Sequence, residues 1–177
     1  MVNKDKIRII GLGNVLMGDD AAGPYAVKLL HARFVMPGQV ELIDGGTAGL
    51  VLPSLMEGCD AVILVDTVNS GMASGALCRY DREGLLSAHC VQAQTPHDPG
   101  LLDALLLSDL TGTRVPDLVL IGVVPERVAP GIGLSPAVQA AMDALIDAVA
   151  AELSRLGVTL ERREPPLPPD LWWERQP

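Results

Sequence analysis

The chain has 177 residues, and its 13 basic and 22 acidic residues give a net charge of −9, which argues against nucleic acid or an anionic membrane as partner. Hydrophobic residues make up 49% of the chain, but only two Trp, two Tyr and one Phe are aromatic, so aliphatic side chains must build the core of what we expect to be one domain. Three widely spaced cysteines suggest neither a disulfide framework nor a thiolate metal site.

The beginning of the chain leads into a strand-like run at Lys6 without the charged, apolar and cleavage regions of a signal peptide. No apolar run approaches the roughly 20 residues that are needed to cross a bilayer. We therefore expect a soluble, cytoplasmic protein without a membrane partner, and we also expect it to be a monomer.

Apolar, β-branched runs alternate with helical patterns along the chain, which is typical of parallel α/β proteins. The first, third and last of these runs are almost wholly apolar, as strands are when helices cover both faces of their sheet. The predicted fold class is a three-layer α/β/α protein with a twisted, mainly parallel five-stranded sheet and helices on both faces. The predicted strands are Lys6–Leu12, Val40–Asp44, Ala61–Asp66, Ala76–Tyr80, which is weaker and suits an edge strand, and Leu118–Val124.

Three helices between these strands and one after the last strand are predicted from proline and cap residues and from apolar spacing. They cover Pro24–Phe34, Thr47–Glu57, a segment that begins with Asp98 as N-cap, and Pro136–Leu156. We assign residues 1–164 to a single α/β domain and residues 165–177 to a proline-rich tail that is extended or mobile. The two tryptophans of this tail, Trp172 and Trp173, either dock on the domain or lie free, and a role in partner binding stays open.

Ligands of open α/β sheets bind beyond the carboxyl ends of the parallel strands, where the loops converge. In this chain, acidic residues follow three predicted strands, and His97 precedes a helix that could reach the same edge. Two carboxylates and an imidazole there would form an oxygen and nitrogen site for nickel, zinc or manganese. The strand-end residues are Asp19, Asp20, the segment Asp44-Gly45-Gly46-Thr47, and Asp66.

Each of these residues also has a structural interpretation. A strand-terminal aspartate is more often a helix cap or turn residue, and a lone histidine such as His31 or His89 is more often a surface or packing residue. The glycine loop Gly11–Gly13 does not match a dinucleotide site, because Leu16 stands where the third glycine is required, and the P-loop Gly-Lys-Ser/Thr is missing. We predict that this loop turns the chain sharply, so that the carboxylates that follow it attract a cation instead of a phosphate.

Five ordered motifs resemble those of the nickel-iron hydrogenase maturation endopeptidases. They are "GLGNVLMGDDAAGPYAV", "IDGGTAG", "ILVDTV", "TPHDPGLLDAL", and "LIGVVPE" followed by "GIGLSPAV", and together they extend from about Ile7 to Leu156. The resemblance implies a hydrolase that removes a C-terminal extension from the hydrogenase large-subunit precursor after nickel insertion. It also implies a mainly parallel sheet that is flanked by helices.

Position by position, the resemblance implies that Asp20, Asp66 and His97 are the metal-contacting and catalytic residues. It links Asp44 with processing of the precursor, and we expect Asp44, Gly45, Gly46 and Thr47 to bind substrate. The nickel would be supplied by the substrate as the recognition signal, and other divalent metals would occupy the site in vitro.

The chemical step stays open at this point. The ion would act as a Lewis acid on the scissile carbonyl or lower the pKa of a bound water. Two alternative functions remain: a non-cleaving maturation chaperone that binds the metal-loaded large subunit, and an unrelated nucleotide-binding domain.

Overall fold

The structure is a computed structural model that describes residues 5–87, 100–112 and 115–175. Seven strands and five α-helices form within these residues, joined by loops and short 3-10 helices. In chain order they are β1 (Ile7–Leu12), α1 (Ala22–Arg33), β2 (Phe34–Val35), β3 (Val40–Gly46), α2 (Leu52–Met56), β4 (Ala61–Thr67), β5 (Leu77–Asp81), α3 (Arg82–Ser87), α4 (Leu101–Thr111), β6 (Asp117–Val123), α5 (Pro136–Arg155) and β7 (Glu161–Arg162). No helix in this part of the chain is long and apolar enough to cross a membrane.

The main sheet has the order β3-β1-β4-β6-β5. Its first four strands are parallel, and β5 runs antiparallel to β6 at the edge. Strands β2 and β7 form a separate antiparallel pair. The five predicted strands and the three-layer, mainly parallel fold are thereby confirmed, including the edge position of the weak fourth strand.

Helices cover both faces of the sheet because each central strand carries apolar side chains on both sides. On one face, Ile7 and Ile9 of β1 belong to a buried cluster that includes side chains of α1 and α5. On the other face, Ile10 and Leu12 belong to a second cluster with side chains of α2, α3 and α4. Each buried aliphatic side chain contributes roughly 1.5–3 kcal/mol, and these two clusters hold the strand ends in a fixed position.

Two predicted helices differ from the observed ones. The helix predicted over Thr47–Glu57 is a 3-10 helix over Gly49–Val51 followed by the five-residue α2, so Thr47 does not cap it. Pro53 lies in the first turn of α2, where the missing proline N–H has no helical partner to lose. Helix α4 begins at Leu101 with Gly100 as its N-cap, whereas the predicted cap Asp98 lies outside the described residues.

The C-terminal segment lies against the domain. The backbone N–H groups of Arg163 and Leu167 donate to the carbonyls of Arg33 and Ala32 at the end of α1, at 2.8 and 2.9 Å. A 3-10 helix over Trp172–Glu174 follows, and Trp173 is only 4% exposed in the cluster of α1 and α5. Docking of Trp173, which the sequence left open, is therefore observed, while Trp172 is exposed and the domain boundary at residue 164 stays a prediction.

Candidate active site

The strand order brings three acidic residues that are distant in sequence to the carboxyl ends of the parallel strands. Strand β1 lies between β3 and β4, so the chain after β1 passes over the ends of both neighbours. Asp20 follows β1, Asp44 lies near the end of β3, and Asp66 lies near the end of β4.

Two glycines let the loop after β1 fold tightly over this edge. Gly13 has a φ of +128°, and a Cβ added there would lie 1.7 Å from the backbone oxygen of Asp20. A Cβ on Gly23, in the first turn of α1, would lie 2.2 Å from the Leu12 carbonyl oxygen and 2.4 Å from that of Val65. The start of α1 is thus pressed against the ends of β1 and β4, which sets the position of Asp20.

Asp19 serves a structural purpose at this turn. Its side chain is fully buried, and its Oδ2 accepts hydrogen bonds from the N–H groups of Glu126 and Arg127, each at 2.8 Å. Its Oδ1 accepts a third from the N–H of Ser135 at 2.6 Å. Burial raises the pKa of Asp19, but these donors together outweigh it, so that the pKa lies below the usual range. Asp19 therefore fastens the loop that connects β6 to α5.

Asp20, unlike Asp19, lies at the carboxyl ends of β1 and β4. Its carboxylate is 5% exposed, and Oδ2 accepts a hydrogen bond from the N–H of Asn14 at 2.8 Å. Oδ1 accepts one from the Thr67 hydroxyl at 3.3 Å, and the Thr67 N–H donates to Asp66 Oδ1 at 2.7 Å. Thr67 thus joins the two carboxylates that the sequence analysis selected.

Asp66 is half-buried, and its electrostatic environment is unfavourable for a negative charge. Burial, which is the largest cause, and the charge of Asp20 together raise the pKa of Asp66 to about 7, although the hydrogen bond from the Thr67 N–H opposes the shift. Two close carboxylates that resist ionisation together are suited to a bound cation, which would relieve their repulsion. The carboxylate pair therefore fits the predicted metal-binding role.

His97, the third predicted ligand, lies outside the described residues. Within residues 5–87, 100–112 and 115–175, no group of three or more histidine, cysteine, aspartate or glutamate side chains is placed to hold a metal ion. The structure thus brings Asp20 and Asp66 together, and the complete three-residue set stays a prediction.

The Asp44 segment lies beside the loop that holds Asp20. Asp44 is exposed, its Oδ1 accepts from the Gly46 N–H at 3.2 Å, and the Gly13 N–H donates to the Gly46 carbonyl at 2.9 Å. A shallow pocket of about 230 Å³ lies here, and Asp44, Gly46 and Thr47 line it together with Asn14 and Trp172.

Gly45 is packed against β1 in this segment. A Cβ there would lie 2.8 Å from Ile10 Cγ2 and 3.0 Å from Leu12 Cδ2, so the glycine allows β3 to pack closely on β1. The predicted substrate-binding role of the four-residue segment stays a prediction.

Comparison with known proteins decides the family. A family model described as hydrogenase maturation protease matches residues 24–152. The hydrogenase 2 maturation protease of Escherichia coli strain K12 is 35% identical over 159 residues, which are 90% of this chain and 97% of that protein. The chain belongs to the hydrogenase maturation protease family. The resemblance in the sequence motifs is thereby confirmed, and the unrelated nucleotide-binding domain is excluded.

Solved structures of this protease family have the same fold. The maturating endopeptidase HybD of E. coli superimposes with a TM-score of 0.81 at 35% identity, covering 90% of this chain and 99% of that one. A hydrogenase 2 maturation peptidase of a Thaumarchaeota archaeon superimposes with a TM-score of 0.64 at 33% identity, covering 84% and 97%. Family membership establishes the protein as a peptide hydrolase.

Two contributors to the site of this protease, Asn14 and Thr67, were not predicted from the sequence, and for Trp172 the sequence only left a partner-binding role open. The Asn14 N–H holds Asp20, the Thr67 hydroxyl joins Asp20 to the Asp66 segment, and Trp172 lines the pocket next to Asp44. Thr67 had one visible signal, because it directly follows a strand-end aspartate. Trp172 had another, because it is one of only two tryptophans in the chain.

Proposed function

We propose that this protease removes the C-terminal extension of a nickel-iron hydrogenase large-subunit precursor after nickel insertion. The observation that carries the proposal is the Asp20–Asp66 pair, joined through Thr67 at the strand ends. In a protein of this family, that pair is the best candidate for the group that recognises a cation and acts next to it.

The nickel ion belongs to the precursor in this proposal and is therefore part of the substrate. Carboxylate oxygens from Asp20 and Asp66, with an imidazole nitrogen from His97, are suitable ligands and leave coordination positions for the precursor's own ligands. Seated there, the ion would polarise the scissile carbonyl or lower the pKa of a bound water. Asn14 and Thr67 orient the carboxylates before the substrate arrives, which lowers the cost of binding.

An apolar surface next to the carboxylates supports docking of a protein substrate. Leu16 and Ile132 are 57% and 56% exposed, although each is a large hydrophobic side chain. Their loops are joined by hydrogen bonds from the Gly131 N–H to the Leu16 carbonyl and from the Gly18 N–H to the Gly131 carbonyl, both 2.9 Å. Exposed apolar side chains beside a reactive site are a common feature of partner-binding surfaces.

The test is to incubate the protein with nickel-loaded and nickel-free precursor and to measure the mass of the precursor's C-terminal peptide. We expect cleavage of the loaded form only. Equal cleavage of both forms would contradict nickel as the signal. An intact precursor that co-purifies with the protein would favour the alternative, a non-cleaving maturation chaperone.

Substitutions of the proposed ligands locate the reaction. Asp20→Asn, Asp66→Asn and His97→Ala should each abolish processing and leave the circular dichroism spectrum unchanged. Asp147→Asn is a matched control, because this carboxylate is 68% exposed on α5 and pairs with Arg162. Normal processing by any of the first three variants would remove that residue from the site. Action as a monomer in the cytoplasm stays a prediction.

A further inference from the structure

The C-terminal 3-10 helix presents one tryptophan to solvent and buries the next. Trp173 is 4% exposed and packs edge-on against Tyr25, with 5.2 Å between the ring centroids. The Tyr25 hydroxyl donates to the Glu174 carboxylate, and the Glu174 N–H donates to the Leu171 carbonyl at 3.0 Å. Because its neighbours are fixed in this way, Trp172 is held on an ordered turn although it is itself 56% exposed.

Trp172 forms a wall of the pocket at the edge of the active site. The exposed carboxylate of Asp44 lines the same pocket, and so does Asn14, whose N–H holds the Asp20 carboxylate. A side chain bound in this pocket therefore lies next to the loop that positions Asp20. Trp172 is more than 100 residues away in sequence from the other residues that line the pocket.

We propose that Trp172 and Asp44 bind a positively charged side chain of the precursor next to the peptide bond that is cleaved. The inference rests on the proposed function, because it names a residue of the substrate. It assigns to the C-terminal tail a role in selecting that substrate.

The chemistry of the two walls favours an organic cation. An indole face attracts ammonium and guanidinium groups, and the carboxylate supplies a charge-assisted hydrogen bond to the same group. A transition-metal ion prefers oxygen and nitrogen ligands, and the face of Trp172 provides none. The net charge of −9 adds a long-range attraction for a basic peptide.

The first experiment measures processing of nickel-loaded precursor at several substrate concentrations. Trp172→Ala should raise KM by about three- to tenfold, the range expected for a partly exposed cation–π contact, with kcat within about twofold. Trp172→Phe should recover part of the loss, because it keeps an aromatic face. Leu167→Ala is the matched control, since this residue is 45% exposed in the same tail. A normal KM in Trp172→Ala would overturn the inference.

The second experiment needs neither nickel nor cleavage. The two tryptophans give two indole N–H signals in a nitrogen-15 NMR spectrum, and Trp172→Phe identifies one of them. Acetyl-arginine-methylamide should shift the Trp172 signal, and its uncharged citrulline analogue should bind at least about threefold more weakly. Asp44→Asn should weaken the arginine response in the same way.

The two experiments separate the inference from the proposed function. If the unmodified protein does not process the precursor, but arginine shifts the Trp172 signal selectively, the proposed reaction is wrong and the cation site stands. Equal responses to arginine and citrulline, or no response to either, would overturn the cation site whatever the outcome of the processing assay.

Discussion

At the scale of single residues, two adjacent aspartates have opposite tasks. Asp19 is fully buried and accepts three backbone hydrogen bonds from a distant loop, whereas the carboxylate of Asp20 lies beside Asp66 at the sheet edge. Because the two carboxylates have different hydrogen-bond partners, Asp19→Asn should lower stability, whereas Asp20→Asn should abolish processing.

Asp19→Asn should reduce the free energy of unfolding by about 1–3 kcal/mol, because an amide has one acceptor oxygen for three backbone donors. The pKa of Asp19 in the folded protein lies below its ordinary value of 3.8, so its stabilisation is present above about pH 4 and is lost as the pH falls through the folded pKa. Urea unfolding at several pH values should show that the difference in the free energy of unfolding between this variant and the unmodified protein becomes smaller in acid. A constant difference would contradict this role.

Thr67→Val tests whether the hydroxyl positions Asp20. The substitution removes the hydrogen bond to Asp20 Oδ1 and keeps the backbone N–H that binds Asp66. We expect a stable protein with processing slowed by about tenfold, because one lost hydrogen bond to a charged group is worth about 1.5 kcal/mol. Thr67→Ser should restore the rate, which can be followed by mass spectrometry of the precursor. Failure of serine to restore it would argue for packing instead.

At the scale of elements, nearly continuous apolar runs made the three central strands β1, β4 and β6 predictable, because strands covered on both faces have no polar alternation. The short helix α3 (Arg82–Ser87) and the two-residue strands were not predicted, since so few residues carry no periodic pattern. The strand-end rule selected Asp19, Asp20, Asp44 and Asp66, and the resemblance in the sequence motifs chose Asp20 and Asp66 from among them. Thr67 was missed because its hydroxyl contacts a residue 47 positions away, a distance that no local pattern records.

Gly13→Ala tests the tight turn between β1 and α1. The added Cβ would overlap the Asp20 backbone oxygen at 1.7 Å, and the φ of +128° is unfavourable for alanine. We expect a lower melting temperature and loss of processing, because Asp20 must move. Gly38→Ala is the control, since a Cβ there meets no atom within 4 Å. Similar melting temperatures and rates for the two variants would contradict the role of the turn.

At the scale of the whole molecule, a network of ion pairs lies at the end of the sheet opposite to the proposed site. Glu152 of α5 is 5% exposed, and its carboxylate accepts from Arg79 at 2.9 and 3.1 Å and from Arg155 at 2.6 Å. Arg155 also donates to Asp117, the first residue of β6. This ion network holds α5 against the amino-terminal end of β6. The proposed site lies at the opposite, carboxyl ends of the parallel strands.

Glu152→Gln should therefore lower stability without slowing the reaction. We expect a loss of about 1–3 kcal/mol, toward the lower end because Arg79 and Arg155 are each about half-exposed and partly screened by solvent. Chemical denaturation gives the free energy, and processing at a temperature well below the transition gives the rate. A slowed reaction in a fully folded variant would show that the two ends of the sheet are coupled.

The anchoring of Asp19 has a mechanical consequence for the protease. Its carboxylate holds the backbone at residues 126, 127 and 135, and only one peptide bond separates it from Asp20. A displacement of the loop around Ile132 would therefore move Asp19 through these hydrogen bonds, and Asp20 with it. Insertions or deletions in the loop between β6 and α5 would consequently shift the Asp20 carboxylate, although this loop lies more than 100 positions away along the chain.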